Sequence, residues 1–227
     1  MREMKDSGVE WIGKIPKDWE IVPLTKQLDS IVDYRGKTPE KTEEGTFLVT
    51  AKNIKDGKIC YELSKEYVRE ADYEEIMHRG IPQIGDILFT TEAPLGQVAN
   101  VDRTDIALAQ RIIKFRALST VNNYYLKYWM CPKYYLYMMQ MCYSARIFYG
   151  LGQGVSGMGR WRLQADKFLN FYIPIPPYDE QKKIADYITD KVNHIEVEID
   201  KRNKLIKKYQ EYKKSLIYEV VTGKKEV

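Results

Sequence analysis

Cysteine is scarce and histidine scarcer in this 227-residue chain: Cys60, Cys131 and Cys142, with His78 and His194. Cysteines odd in number and widely spaced suit reduced, buried thiols rather than a disulfide framework. With two distant histidines and no ligand spacing, neither a structural zinc site nor any other metal site is expected. No apolar run approaches the roughly 18–20 residues of a membrane span. Residues 1–13 are charged throughout and lack the apolar core of a signal peptide. The expected location is cytoplasmic. There is no complete G-x-x-x-x-G-K-S/T phosphate loop, no helicase or nuclease signature, and no ordered set of nucleophile, base and acid.

What is present supports one domain and an extension. Hydrophobic residues make up 44% and charged residues 30%, enough for a core under a polar surface. The net charge is only +4, but it is unevenly placed. Between Arg103 and Asn170 ten bases stand against two acids, Asp105 and Asp166, an electrostatic footprint suited to a polyanion or, more plainly, a solvated basic face.

Along the chain, Ser7 to Pro23 reads as a packed arm and Leu24 to Val32 as a short helix. Thr46 to Ala51 and Lys58 to Leu63 read as strands with Asp56-Gly57 as a turn. Tyr67 to Met77 fits a short helix ended by Gly80-Ile81-Pro82. Strands follow at Asp86–Thr91, Gln97–Val101 and Ala107–Arg116. Residues 122–149 carry aromatics and methionines at helical intervals, a pattern that fits packing better than base stacking, with a break near Cys131-Pro132. A glycine-rich loop spans 150–159, and 171–175 is a last strand. Strands and helices mix without βαβ alternation, so the fold class is α+β: one globular domain over 1–175 with mixed sheet and helices, then a long C-terminal coiled-coil helix within 176–227.

That helix is the strongest local signal. After Pro177 neither proline nor glycine occurs until Gly223, Asp179 and Glu180 occupy the first turn, and Gly223 suits the C-terminal cap. An apolar seam runs through Ile184, Ile188, Val192, Ile195, Ile199, Ile206, Tyr209, Leu216 and Val220, broken by Arg202 and Lys213. From Val192 its steps alternate three and four, which is heptad spacing. Residues 179–200 hold seven acids and three bases; 201–227 hold nine bases and three acids. Antiparallel pairing of two copies sets acidic half against basic half. A homodimer is therefore expected through Ile188, Val192, Ile195, Ile199, Ile206, Tyr209 and Leu216, with a helix of another protein as the alternative partner.

Two motifs tempt. Gly152-Gln-Gly154-Val-Ser-Gly157 matches the glycine pattern of dinucleotide loops, but it follows a helical stretch and leads into Arg160-Trp161-Arg162, so a polar loop able to approach phosphates or bases is the better reading. Pro176-Pro177-Tyr178 has the last three positions of an adenine-methyltransferase site. Ile175 stands where the amide or carboxylate would hold the target base, so the segment reads as a strand-to-helix joint.

Several segments together carry a resemblance over essentially the whole chain. They are Asp6-Ser-Gly-Val-Glu-Trp-Ile-Gly-Lys-Ile-Pro-Lys-Asp-Trp19, Gly85-Asp-Ile-Leu-Phe-Thr-Thr-Glu-Ala-Pro-Leu-Gly96, Ala109-Gln110-Arg111 and Arg160-Trp-Arg-Leu-Gln-Ala-Asp-Lys-Phe-Leu-Asn170. Most specific is Ile173-Pro-Ile-Pro-Pro-Tyr-Asp-Glu-Gln-Lys-Lys-Ile-Ala185 leading into the helix, which ends at Val221-Thr-Gly223. The chain resembles the specificity (S) subunits of Type I restriction–modification systems. That resemblance implies a target-recognition domain per DNA half-site, and a helical region that spaces two such domains and docks methyltransferase (M) subunits. It implies no catalysis and no cofactor in this chain, with S-adenosylmethionine and ATP/Mg used by partner subunits, the second by a restriction (R) subunit where one joins. Full-length members carry two recognition domains and two helical regions; one of each is present here, so a half-length form that dimerises on a palindromic, interrupted site is expected. Arg35, Lys37, Lys52, Asn53, Thr91, Gln110, Arg111, Gln153, Ser156, Arg160 and Arg162 are the candidates for the DNA face, Arg and Gln for base edges and Lys for phosphate. The alternatives are a diverged DNA adenine methyltransferase and a protein–protein scaffold.

Overall fold

The computed structural model describes residues 2–10, 12–34, 39–91, 94, 96–130 and 172–226. They divide into two compact units, Met1–Lys182 and Lys183–Val227. The first unit opens with a hairpin of β1 (Met4–Asp6) and β2 (Lys14–Pro16). Strand β3 (Glu20–Pro23) follows, then a 3-10 turn at Leu24–Gln27 and β4 (Leu28–Asp33). The helix expected over Leu24–Val32 is thus a strand after its first turn. Ile31 and Val32 are β-branched, and pairing with a neighbouring strand overrides a spacing that two periods can share.

Next come β5 (Thr46–Val49), the short hairpin β6 (Ile54–Lys55) and β7 (Lys58–Ile59), and β8 (Tyr67–Val68). A 3-10 turn at Tyr61–Leu63 separates β7 from β8, and another at Glu70–Asp72 leads into the one-turn helix α1 (Tyr73–Ile76). The Asp56-Gly57 turn forms as expected, with φ of 49° and 85°, the positive pair of a type I′ turn. Its partners differ, since it joins β6 to β7, while β5 pairs elsewhere. Then follow β9 (Ile87–Thr90), β10 (Val98–Asn100), β11 (Ile106–Leu108), β12 (Ile112–Ala117), α2 (Asn123–Met130), β13 (Tyr172–Ile175) and α3 (Tyr178–Val221). The single strand expected over Ala107–Arg116 is two, broken at Gln110-Arg111.

Four strands form an antiparallel sheet in the order β10-β9-β12-β4. A mixed sheet, β11-β5-β8, has β11 parallel and β8 antiparallel to β5. Strands β9, β10 and β12 of the larger sheet are buried on both faces, while the edge strand β4 leaves Asp29 and Ile31 exposed. Ile87, Phe89, Val98, Ile113 and Phe115 pack with Leu126 and Met130 of α2 and Ile173 of β13. On the opposite face Leu88, Ala99 and Ile112 join Leu48, Val49 and Ile106 of the smaller sheet. Burial from both sides is why these strands read as unbroken apolar runs rather than alternating patterns. The architecture is α+β, as expected.

Helix α3 runs 44 residues, about 66 Å at 1.5 Å per residue. It begins where Pro177 accepts hydrogen bonds from the N–H groups of Glu180 and Gln181. It ends at Gly223, whose φ of 69° closes the last turn with Lys224 N–H donating to Glu219 O. Among the described residues no helix is long and apolar enough to cross a membrane.

Candidate nucleic-acid interface

One end of the four-stranded sheet gathers polar residues from separate parts of the chain. There β9 ends at Thr90-Thr91, β10 begins after Gln97, and β12 begins after Arg111. Three contacts tie these segments together. Thr90 and Gln97 exchange bonds through Thr90 N–H to Gln97 O at 3.0 Å and Gln97 N–H to Thr90 Oγ1 at 2.9 Å. Thr91 donates its N–H to Arg111 O at 2.9 Å, and Ala109 donates to Val49 O at 2.9 Å. Residues 109–111 are therefore a corner between the two sheets, held on each. Arg111 lies at the exposed side of that corner with φ of 78°, a left-handed conformation that costs a side-chain-bearing residue about 1–2 kcal/mol. Strain of this kind persists only where surrounding bonds fix it, and it concentrates at ligand-contacting positions.

Not every candidate lies on such a surface. Lys52 is exposed and Gln110 half-buried. Thr91 is 7% exposed and its hydroxyl donates to Arg111 O at 3.3 Å, so it positions Arg111 instead of reaching outward. Asn53 corrects the expectation outright. It is fully buried; its Oδ1 accepts from Thr50 N–H and Oγ1 at 2.9 Å each, and its Nδ2 donates to Cys60 O at 3.2 Å and Ser64 O at 2.8 Å. Every hydrogen-bonding position of the amide is occupied, leaving nothing for a base. Arg35, Lys37, Gln153, Ser156, Arg160 and Arg162 lie outside the described residues.

The basic surplus also changes meaning. Lys114 and Arg116 belong to an internal cluster around Asp86, which is 1% exposed. Arg116 Nε donates to Asp86 Oδ1 at 2.7 Å, its second nitrogen to Oδ2 at 2.8 Å, and Lys114 Nζ lies 3.4 Å from Oδ2. Burial acts to raise the Asp86 carboxyl, but the Arg116 hydrogen bonds, the Gln83 N–H and the Lys114 charge hold it below its ordinary value. Burial lowers the Lys114 ammonium more than Asp86 supports it, while Arg116, which makes two hydrogen bonds to Asp86, is the largest of the influences holding the carboxyl low. Arg103 is bound to Asp105 and lies 5.3 Å over the Tyr61 ring. Among the described bases of this stretch, Arg111 lies on the exposed corner.

The proline pair is a strand-to-helix joint. Gln181, 1% exposed, accepts from Asn122 N–H at 2.8 Å and donates to Pro176 O at 2.9 Å and Thr120 O at 3.3 Å. Glu180 accepts from Arg2 and from Trp19 Nε1 at 3.1 Å. The Glu-Gln pair that sequence singled out thus fastens the first turn of α3 to the arm and to the segment before α2. A cleft of about 530 Å³ lined by Asp29, Arg116, Asn123 and Tyr124 lies at the opposite end of the sheet from Arg111. Among the described residues no three potential metal ligands cluster.

Helix α3 leaves its seam open: Ile195, Ile199, Ile206 and Tyr209 are each more than half exposed, and Ile188, Val192 and Leu216 are partly buried. Leu205 and Tyr212, seven residues apart, are also exposed; the seam did not include them, and they lie roughly 100° around the helix from it.

The chain is thus an α+β domain followed by a long helix whose apolar seam is exposed. The profile of the Type I restriction modification DNA specificity domain matches residues 16–208, and the chain belongs to that family. It is 25% identical over 225 residues to the specificity subunit of the type I restriction enzyme MjaVIII of Methanocaldococcus jannaschii, covering 94% of this chain and 48% of that one. A second relative from that organism is 27% identical over 183 residues and is covered to 40% of its length. The chain therefore spans about half the length of the curated relatives it matches. A chain in a solved structure of the type I R-M system shares the fold, with a TM-score of 0.52, 20% identity, and coverage of 85% of this chain and 42% of that one.

Proposed function

We propose that this chain is a non-catalytic DNA specificity subunit of a type I restriction–modification complex. The family match over residues 16–208 carries the reading. Arg111, Gln110 and Lys52 belong to its DNA face, Arg111 offering the forked donors that suit a guanine edge and Lys52 a point charge for phosphate.

Two copies pair through α3 in antiparallel fashion. The exposed seam and the acidic-to-basic polarity of the helix support this, because parallel copies would oppose like charges. Two recognition domains related by a twofold axis read a palindromic, interrupted site. Methyltransferase subunits supply S-adenosylmethionine chemistry, and a restriction subunit using ATP and Mg joins where a complete restriction complex forms. The protein works in the cytoplasm.

A titration of the purified chain with S-adenosylmethionine, beside a selection of bound duplexes from random sequence, tests this. Enrichment of one motif without cofactor binding is expected. Tight cofactor binding or methyl transfer by the chain alone would replace the reading with a methyltransferase, and no enrichment in the assembled complex would leave a protein scaffold.

A further inference from the structure

Burial along α3 limits which part of its seam a second helix can use. Carried back from Val192, the heptad spacing continues through Ile188, Ala185 and Gln181. Ala185 and Gln181 are each 1% exposed, and the Gln181 amide is occupied by Asn122, Thr120 and Pro176. A second helix finds no room at those two positions. Ile188 is the first seam residue past them, and Val220 is the last before the helix ends at Val221.

Two antiparallel copies of the stretch from Ile188 to Val220 coincide end to end when Ile188 lies opposite the partner's Val220. Val192 then meets the partner's Leu216, Ile195 the partner's Lys213, Ile199 the partner's Tyr209 and Arg202 the partner's Ile206. Each layer joins one seam position of either kind, the packing that an antiparallel pair of heptad helices makes. Sliding one heptad toward fuller overlap sets the partner's Val220 against the buried Gln181 and the partner's Leu216 against the buried Ala185. Sliding the other way gives up a heptad of contact.

A second column of side chains favours the same alignment. Lys191, Glu198, Leu205, Tyr212 and Glu219 recur at heptad spacing and flank the seam on one side. In an antiparallel pair this flank meets the same flank of the twin, and side chains leaning toward their own N-termini converge there. Lys191 comes to the partner's Glu219, Glu198 to the partner's Tyr212, and Leu205 to the partner's Leu205 beside the twofold axis. Leu205 and Tyr212 are 49% and 60% exposed in the single chain, and this alignment covers both. At fuller overlap Leu205 would meet the partner's Glu198, and Glu219 the partner's Ile184, a charge against an apolar side chain each time. Lys191 lies 5.4 Å over the Tyr187 ring and Glu219 accepts from Ser215 Oγ at 2.7 Å, so the intersubunit pair adds to contacts made within each helix.

We infer that a second copy of α3 docks in this one register, centred beside Leu205 and not on the charge boundary at Asp200-Lys201. This rests on the antiparallel pairing proposed above. Leu205, outside the apolar seam, is the residue that meets its own copy.

The test is crosslinking of the full-length chain with a short bis-maleimide, once sedimentation has established the wild-type dimer. Cysteine is placed at one flank position at a time, as Leu205→Cys, Glu198→Cys or Tyr212→Cys. The wild-type chain, with Cys60, Cys131 and Cys142, sets the background. Leu205→Cys alone is expected to shift from monomer to crosslinked dimer on a denaturing gel. Glu198→Cys and Tyr212→Cys alone stay at background, because about 18 Å and about 24 Å of helix axis separate each from its own copy. Co-expressed with each other, those two crosslink. If neither Leu205→Cys nor the co-expressed pair crosslinks, or if Leu205→Cys links to Glu198→Cys instead of to itself, the register is overturned and the dimer stands. Equal crosslinking of all three single variants marks a parallel pair, and a wild-type monomer marks no pair; either overturns the antiparallel reading and the register together.

Discussion

Thr91 donates both its backbone N–H, at 2.9 Å, and its hydroxyl, at 3.3 Å, to the carbonyl of Arg111. The residue so held has a φ of 78°, so a side chain that would ordinarily avoid this conformation is kept in it from two directions. Its backbone is pinned this way, so in the proposed DNA contact that backbone has little freedom left to lose.

That relationship separates stability from recognition. Arg111→Gly removes the left-handed penalty, partly offset by the greater freedom of glycine in the unfolded chain, and is expected to leave stability unchanged or raise it by up to about 1 kcal/mol. Discrimination between the selected site and a variant with its guanines replaced should fall by about 1–3 kcal/mol. Thermal unfolding and competitive binding measure the two. A destabilised variant that keeps full discrimination would mean that Arg111 serves the fold alone.

Asp86→Ala leaves Lys114 buried beside an empty position and is expected to cost about 3–5 kcal/mol. Acid should reveal the same cluster. The folded Asp86 carboxyl lies below its ordinary value of 3.8, so its contribution is complete above that pH and is lost as pH falls through the lower folded value. The stability gap between wild type and Asp86→Asn should be flat above pH 3.8 and close below it. Denaturant titrations at stepped pH give the curve; a gap that widens in acid would reverse the assignment.

Gln181→Ala removes a buried amide that answers Asn122 N–H and the carbonyls of Pro176 and Thr120. Leaving those groups unpaired is expected to cost about 1–3 kcal/mol. Hydrogen exchange should quicken at the Asn122 amide. Unchanged exchange there would contradict the fastening of the first turn of α3.

Ile195→Asp with Ile199→Asp places two carboxylates on the exposed seam of α3. Sedimentation is expected to show a monomer whose helicity is retained, since both positions are already more than half exposed. A dimer surviving that change would place the interface on another surface.

Much of this was legible in sequence, for reasons that differ by element. Helix α3 followed from a 44-residue stretch without proline or glycine and from a heptad seam, signals that need no tertiary information. Strand β4 was misread as helix because Leu28, Ile31 and Val32 fit either period, and only pairing with β12 decides. The break at Arg111 was missed because nothing in Ala-Gln-Arg marks a left-handed residue; the cause is Thr91, twenty residues away. Asn53 looked like a base reader because asparagine is one by type, and its four hydrogen bonds come from positions that sequence does not bring together. Charge counting misplaced two of its bases for the same reason: Lys114 and Arg116 count as surface charge until Asp86 is found between them.

The central proposal is that two copies of this chain, joined through α3, direct methylation to a twofold site. Sequencing of the positions methylated by the complex assembled from this chain and its methyltransferase subunits tests it most directly. Two identical half-sites in inverted order, at one fixed spacing, are the predicted result. A single uninterrupted motif, or two unrelated half-sites, would contradict it.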